Sequence, residues 1–419
     1  MTNFQKPFKL FRQFITLGVG IVPLLGVQAD LDIYIQKARE NNPALKRAYT
    51  QWKSADAGIT AAIGLPNPSV SGGYFLESVE TAAGPQEFKI GLTQKIPFPG
   101  KRRMQGEAQK AKANQSYYQY LDHQLKLGHQ VRSVWYDYYF LLRSLALTKQ
   151  NQQLIQNWDS VIRSRYVTAR AGHPDLIKTQ IELIQLVDEL STLENKKIPI
   201  IARFRSLLND SNLDEIIVPE ELVPDRITID ETVLKNRISQ ENPRVLGAQA
   251  LVEMANAKLS RKKLNRLPDF GVGVESVITG EKEGSPVSGK DPLVAKLTFD
   301  LPIWFNKTNS EINSANLNLR SAESGEISVQ NELLSDLEKV LFDLKESDRQ
   351  IRLYEDILIP KGKESLGASE IAYRGDKIDF ISLVDAQRRL LQFELKYEKA
   401  KVDYLKAKSK LSVLVGEAL

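Results

Sequence analysis

The stretch "QKIPFPGKRR", residues Gln94 to Arg103, lies at an abrupt change in the pattern of the sequence. Before it, apolar and polar residues alternate from Glu87 to Ile96, which is the pattern of a strand with one apolar face. After it, no proline occurs from Lys101 to Gly172, and good helix formers dominate. The two prolines end the strand because they cannot donate backbone hydrogen bonds, and the glycine lets the chain turn. The sequence therefore predicts a strand-to-helix junction at Pro97, Pro99 and Gly100.

The sequence repeats itself once, in the same order of motifs. "NNPALKRA" at Asn41 to Ala48 returns as "ENPRVLGA" at Glu241 to Ala248, and "LTQKIPFPGKR" from Leu92 returns as "LTFDLPIWFNK" from Leu297. Ordered matches of this kind indicate a duplicated unit. We expect a first structural repeat at 30–222 and a second at 223–419.

Each repeat is predicted to contain a helix, two strands and long helices. The strands are expected at 67–79, 87–96, 268–278 and 292–302, with Pro302 at the second strand-to-helix junction. Their length of about ten residues suits tilted strands in a membrane, although a half-buried sheet of a soluble protein alternates in the same way.

The helices are expected at 100–209 and 306–416, and their leucines recur at heptad spacing, as in the seam from Leu390 to Leu414. A helix of about seventy residues is roughly 100 Å long and must pair with others along its length. Pro199 and Pro360 should bend or break these helices locally. Four strands cannot close a barrel, so any membrane-spanning barrel must pool strands from several chains.

The first 29 residues have the pattern of a secretory signal peptide. Basic residues precede an apolar run from Phe14 to Gly26, and "VQA" ends in a small-residue cleavage pattern. The chain has no cysteine, which excludes disulfides, thiol catalysis and a lipidated cysteine. The net charge of +5 includes three basic residues of the signal peptide, so the mature chain is nearly neutral and nucleic-acid binding is not indicated.

With these motifs the chain resembles the TolC-like outer-membrane efflux proteins. The likeness covers "LDIYIQKARENNPALKRA", "LPNPSVS", "QKIPFPGKRR" and the closing segment from "AYRGDKIDFISLVDAQ" onward. It implies a mixed α+β membrane channel in the outer membrane of a Gram-negative bacterium. Three chains would each give four strands to a shared 12-stranded β-barrel, and their helices would continue it as a coiled-coil barrel in the periplasm.

The resemblance also implies partners and a task. The homotrimer would sit in outer-membrane lipid, dock to a periplasmic adaptor and an inner-membrane pump, and passively conduct the exported substrate. "PFPGKR" is most similar to the cobalt, zinc and cadmium resistance branch, which implies heavy-metal cations. A drug efflux channel or a type I secretion channel of the same fold is an alternative, and so is a soluble periplasmic coiled-coil adaptor. The chain departs from the family pattern in having no acylated cysteine and no glycine in "PIWFNK".

No arrangement of residues in the sequence indicates an enzyme. His123, His129 and His173 are too scattered to share a metal ion, because the first two lie about 240° apart around a helix. We therefore expect no catalytic residues, no metal site and no cofactor.

"GDKIDFISLVDAQ" is predicted to be a helical hairpin turn at the far end of the tunnel, with Gly375 ending one long helix. Asp376 and Asp379 are expected to cap the next helix. In the resembling family, two acidic residues three apart line the entrance near this turn. Those positions are Ser382 and Asp385 here, and only Asp385 is acidic. Whether Asp385 faces a pore or is a surface charge stays open from the sequence.

Overall fold

The computed structural model describes residues 24–168 and 172–417. The predicted signal peptide at 1–29 lies largely outside the described residues. The elements in chain order are α1 (Leu24–Asn41), α2 (Pro43–Ile63), β1 (Ser69–Thr81), β2 (Gly84–Ile96), α3 (Lys101–Val167), α4 (His173–Leu208), α5 (Glu231–Glu241), α6 (Pro243–Leu264), β3 (Asp269–Thr279), β4 (Leu293–Asp300), α7 (Phe305–Arg352), a π-helical segment (Leu353–Leu358), α8 (Ile359–Arg374) and α9 (Phe380–Val415).

The four strands form one antiparallel sheet in the order β1-β2-β3-β4. The register brings apolar residues of all four strands onto one face: Phe270, for example, is paired with Ile96 on one side and with Phe299 on the other. Many of these side chains are exposed, including Val70 (71%) and Leu297 (72%). A sheet face that is both apolar and exposed in the single chain must be covered by something other than this chain.

The opposite face of the sheet is polar and carries ion pairs between strands. Lys95 of β2 pairs with Asp300 of β4, and Lys296 of β4 pairs with Glu275 of β3. The alternation predicted from the sequence therefore produces two chemically different faces, as period-two strands do.

The loop of the first hairpin is shorter than the strands predicted at 67–79 and 87–96 imply. Strands β1 and β2 are joined by only Ala82 and Ala83. Gly84 makes this possible with a φ of 125°, and a Cβ there would lie 1.9 Å from the carbonyl oxygen of Gly280. A glycine followed by a proline resembles a loop in sequence, yet here the glycine allows the turn and Pro85 lies at the strand start, where proline is tolerated.

The fourth strand is shorter than the predicted 292–302. It ends at Asp300, because Pro302 has no N–H with which to continue the ladder. Helix α7 then begins at Phe305, after a bend in which the N–H of Ile303 donates to the carbonyl of Leu301 at 2.9 Å.

Two buried asparagines join short helices end to end into longer columns. Asn42 caps α2 through its Oδ1, and its Nδ2 donates to the carbonyl of Leu207 at the end of α4, at 2.9 Å. Asn242 caps α6 in the same way, and its Nδ2 donates to the carbonyl of Leu414 at the end of α9, at 2.8 Å. Helix α4 is thereby continued by α2, and α9 by α6.

The helical layer therefore has four columns, in the order α4 with α2, then α3, then α9 with α6, then α7 with α8. Helix α3 alone has 67 residues. Pro199 lies inside α4 without breaking it. Pro360, by contrast, is the second residue of α8, and the π-helical segment just before it accommodates a residue that clashes in a regular helix.

The column contacts are the heptad seams expected from the sequence. Leu390, Leu411 and Leu414 of α9 are at most 6% exposed, and Leu337 and Leu341 of α7 are at most 2% exposed. The helical regions predicted at 100–209 and 306–416 thus contain separate helices packed side by side. The repeat boundary predicted at 222/223 falls in the linker 209–230, outside the columns, and stays a prediction. No helix in the described ranges is long and apolar enough to cross a membrane.

We expect Asn242→Ala to lower the free energy of unfolding by about 1–3 kcal/mol, because α6 loses its cap and the buried carbonyl of Leu414 loses a donor. Urea unfolding followed by circular dichroism at 222 nm measures the change. Asn256→Ala, at an exposed position of the same helix, is the control and should stay within about 0.5 kcal/mol of the parent. Equal stability of both variants would show that the junction contributes nothing.

Candidate functional site

The linker 209–230, which we call the strap, crosses three of the four columns on one side of the helical layer. The carbonyl of Ile217 accepts from Trp135 Nε1 of α3 at 2.9 Å. Farther along, the N–H of Ile227 donates to Tyr404 Oη of α9 at 3.0 Å, and Arg226 pairs with Asp348 of α7 at 3.0 Å. We call the side that the strap crosses the strap face and the other side the bare face.

A buried charge cluster fastens the strap between α3 and α9. The N–H of Leu222 donates to Tyr139 Oη at 3.1 Å, and that hydroxyl donates to Glu398 Oε2 at 3.0 Å. Glu398 is 4% exposed and is also contacted by Arg143 at 3.3 Å and by Lys401 at 2.9 Å. Burial, together with the Glu398 carboxylate, raises the pKa of Tyr139, so the hydroxyl keeps its proton and its role as donor.

The bare face of α3 is polar in the half of the helix nearer the sheet. Trp135, under the strap, belongs to the heptad row of Glu107 and Asn114. The row offset by two residues lies about 200° away around the helix and so faces the other side. In the first half of α3 its members are polar, and most are exposed: Gln105, Lys112, Gln119 and Lys126. Farther along, the same row contains Phe140, Leu147, Leu154 and Val161, and the last two are about 40% exposed.

Asp385 lies on the bare face by the same argument. It shares a heptad row of α9 with Gln392 and Lys399, and the row offset by two residues contains Lys408, which pairs with Asp225 of the strap at 3.0 Å. The Asp385 side chain is 55% exposed, and its nearest cation is Arg388, at 3.9 Å. The structure thus leaves this carboxylate open to solvent on the bare face.

The other predicted residues of this turn have structural contacts. Asp379 caps α9, accepting from the N–H of Ser382 at 3.0 Å and from its hydroxyl at 2.6 Å. These bonds lower the pKa of the Asp379 carboxyl below its usual value. Ser382 is therefore part of the helix cap.

Asp376 does not cap α9, contrary to expectation. With a φ of 54° it follows Gly375 in the turn, and its carboxylate pairs with Arg165 of α3 at 2.7 Å. Arg165 also donates to the carbonyls of Tyr373 and Arg374 at the end of α8. The partner that decides the role of Asp376 is more than two hundred residues away, so the local sequence could not reveal it.

A second tie between the hairpins also escaped the sequence analysis. Arg388, one turn beyond Asp385, forms two hydrogen bonds to Glu182 of α4, which is 5% exposed. The α3–α4 and α8–α9 hairpins are therefore tied by charge on both sides of the turn.

The predicted first strand-to-helix junction is held by a contact to Asp269 that the sequence analysis missed. Gly100 has a φ of 95°, a backbone conformation that favours glycine. Asp269, at the start of β3, accepts from the N–H of Phe98 at 2.8 Å and from Lys101 Nζ at 2.8 Å. The Pro97 and Pro99 segment is thus held to the second repeat. The second junction, at Pro302, has no glycine and no residue with a positive φ.

His129 of α3 is partly buried against α9. His129 Nδ1 lies 3.0 Å from Ser409 Oγ, and burial, with neighbouring Lys410 and Arg132, lowers the pKa of His129 to about 4. Among the described residues, no group of three or more acidic or histidine side chains is placed to hold a metal ion.

The outer membrane efflux protein model matches residues 34–209 and 234–417, which is most of the chain. The chain belongs to the outer membrane efflux protein family. The predicted TolC-like resemblance is thus confirmed, and with it the location in the outer membrane of a Gram-negative bacterium. The alternative of a soluble periplasmic adaptor is not retained.

Solved structures of outer membrane efflux proteins share the fold. The chain is 12% identical to CusC, with a TM-score of 0.80, over 93% of this chain and 92% of that one. It is 14% identical to VceC of Vibrio cholerae, with a TM-score of 0.77 over 93% and 97%. It is 15% identical to MtrE of Neisseria gonorrhoeae, with a TM-score of 0.74, over 93% of this chain and 89% of that one. Among curated proteins, no sequence is significantly similar to this chain. The predicted mixed α+β channel fold is confirmed.

Proposed function

We propose that three copies of this chain form an exit duct that passively conducts substrate delivered by an inner-membrane pump through a periplasmic adaptor. One observation carries the proposal: the sheet and the helical layer are open at the same two edges. The strands end at β1 and β4, and these strands connect to the outermost columns, through α2 and α7. An open sheet edge in lipid leaves unpaired backbone groups that cost several kcal/mol each, so β1 of one chain should pair with β4 of the next.

Both outer columns carry exposed apolar side chains that support such a ring. On α4, Ile177, Ile181, Ile184 and Val187 recur at spacings of three and four and are 41–68% exposed. On the column of α7 and α8, and on the π-helical segment between them, a second set is 54–75% exposed, namely Leu317, Ile327, Phe342, Ile357 and Ile371. Closing the ring would bury one set against the other.

Three chains fit the strand count. Two chains would give eight strands, a barrel whose interior is filled by side chains, whereas twelve strands leave room for water. The apolar sheet face would contact lipid. Trp304 and Phe305, 73% and 70% exposed just after β4, would lie at the membrane–water interface, where aromatic residues are enriched.

Ile184→Glu should prevent trimer formation, because closing the ring would bury an unpaired carboxylate. Mass measurement in mild detergent should give about three chain masses for the parent and one for the variant. Ile217→Glu is the matched control: its side chain is 62% exposed, against 68% for Ile184, but lies on the strap. A stable dimer of the parent, or trimers of Ile184→Glu, would contradict the proposed assembly.

We propose the bare face as the duct lining, since a strap crossing the interior would obstruct it. Three copies of Asp385 would then surround the axis near the periplasmic end, where their field attracts cations. Asp385→Ala should lower the cation-to-anion permeability ratio about twofold or more in planar bilayers and weaken block by multivalent cations. Asp214→Ala, on the strap, is the control. Unchanged selectivity in Asp385→Ala would remove this residue from the pore.

We propose heavy-metal cations as the transported substrate, and this proposal is supported by the "PFPGKR" motif alone. Drugs and secreted polypeptides are the alternatives. Deletion of the gene should then lower tolerance to zinc, cobalt or copper, with growth restored by the gene in trans. A deletion strain that keeps its metal tolerance but loses drug tolerance would reverse the assignment.

A further inference from the structure

A groove of about 700 Å³ runs between α6 and α7 on the bare face. Leu251, Met254 and Ala255 of α6 form one wall, and Ala315 and Ala322 of α7 lie opposite. The volume is within the range of small-molecule sites, about 300–1,000 Å³. Most of the wall is hydrocarbon, so the groove suits an apolar body.

Small residues on α7 keep the groove open. Ser310, Ser314, Ser321 and Gly325 line it, and a Cβ at Gly325 would have no heavy atom within 4 Å. The space next to Gly325 is therefore not occupied by any side chain of the described residues. A larger residue at this position would enter the groove without displacing the helices.

Cationic side chains lie at the end of the groove nearest the sheet. Lys258 and Arg261 line it and also line an adjoining cavity of about 140 Å³, to which α3 contributes Lys112. In the described part of the chain, no carboxylate lies within 4 Å of any of these three cations. The acidic residue of the groove, Glu311, is already paired with Lys262 at 3.0 Å.

We propose that this groove binds an amphipathic anion, with the apolar body along α6 and α7 and a carboxylate, sulfonate or sulfate at Lys258 and Arg261. Charge-assisted hydrogen bonds to a guanidinium and an ammonium favour such a head group. Met254, between the cations and the apolar wall, is a flexible side chain that adapts to different bodies. The site rests on the proposed duct only for the route by which its ligand arrives.

Decanesulfonate and decyltrimethylammonium test the proposal, because they share a ten-carbon chain and carry opposite charges. Calorimetric titration uses the full-length protein in nanodiscs of zwitterionic lipid, with empty nanodiscs subtracted. We expect one decanesulfonate site per chain and binding of the cation at least about tenfold weaker. Equal binding of both amphiphiles, or no binding of decanesulfonate, overturns the proposal.

Two variants with matched controls locate the site. Lys258→Gln with Arg261→Gln should weaken decanesulfonate binding about tenfold or more, whereas Lys263→Gln, on the opposite heptad row of α6, should not. Gly325→Leu fills the groove and should abolish binding. Gly367→Leu on α8, where a Cβ also meets no atom within 4 Å, should leave binding unchanged. Equal effects of variant and control overturn the assignment.

Inorganic phosphate and conductance separate the remaining explanations. If millimolar phosphate displaces decanesulfonate completely, the cations bind any anion and the apolar groove takes no part, which overturns the proposal. The same preparations are fused into planar bilayers. Conducting channels without decanesulfonate binding reject the groove site and leave the duct standing, whereas binding without conductance rejects the duct alone.

Discussion

The helical layer depends on two side-chain amides. Asn42 and Asn242 each cap the helix that begins after them and donate to the last carbonyls of a helix far along the chain. Helix ends buried in a layer would otherwise leave unpaired polar groups. The columns contain such ends because α4 and α9 stop where α2 and α6, which lead into the strands, begin. The amides pair with groups at these ends, so that interrupted helices pack as continuous columns beside α3 and α7.

The parts of the fold that the sequence predicted are those set by local chemistry. Alternation identifies the strands, prolines end them near Ile96 and Asp300, and heptad leucines mark the column contacts. The two-residue turn at Ala82 and Ala83 was missed because the tight approach of Gly84 to Gly280 depends on the neighbouring loop. The repeated Asn-Pro motif was recognised, but the carbonyls it contacts lie about 170 residues away.

The candidate site shows the same division. Asp379 was interpreted correctly as a cap because capping involves residues three positions apart. Asp376 was misassigned because its partner, Arg165, comes from another helix, and the ties of Arg388 to Glu182 and of Asp269 to Lys101 were not seen at all. Heptad rows could place Asp385 on a face only after the structure showed which face the strap covers.

The described residues contain one strap, between α4 and α5, although they contain the helix and strand unit twice. In the proposed trimer the wall would be built from six similar units, and its inner surface would approach six-fold rotational symmetry. The outer surface would carry three straps, each passing over Trp135 and Tyr404, and so only three-fold symmetry. Any partner ring of six-fold symmetry would meet two kinds of surface in alternation on that outer side, and would have to bind them unequally.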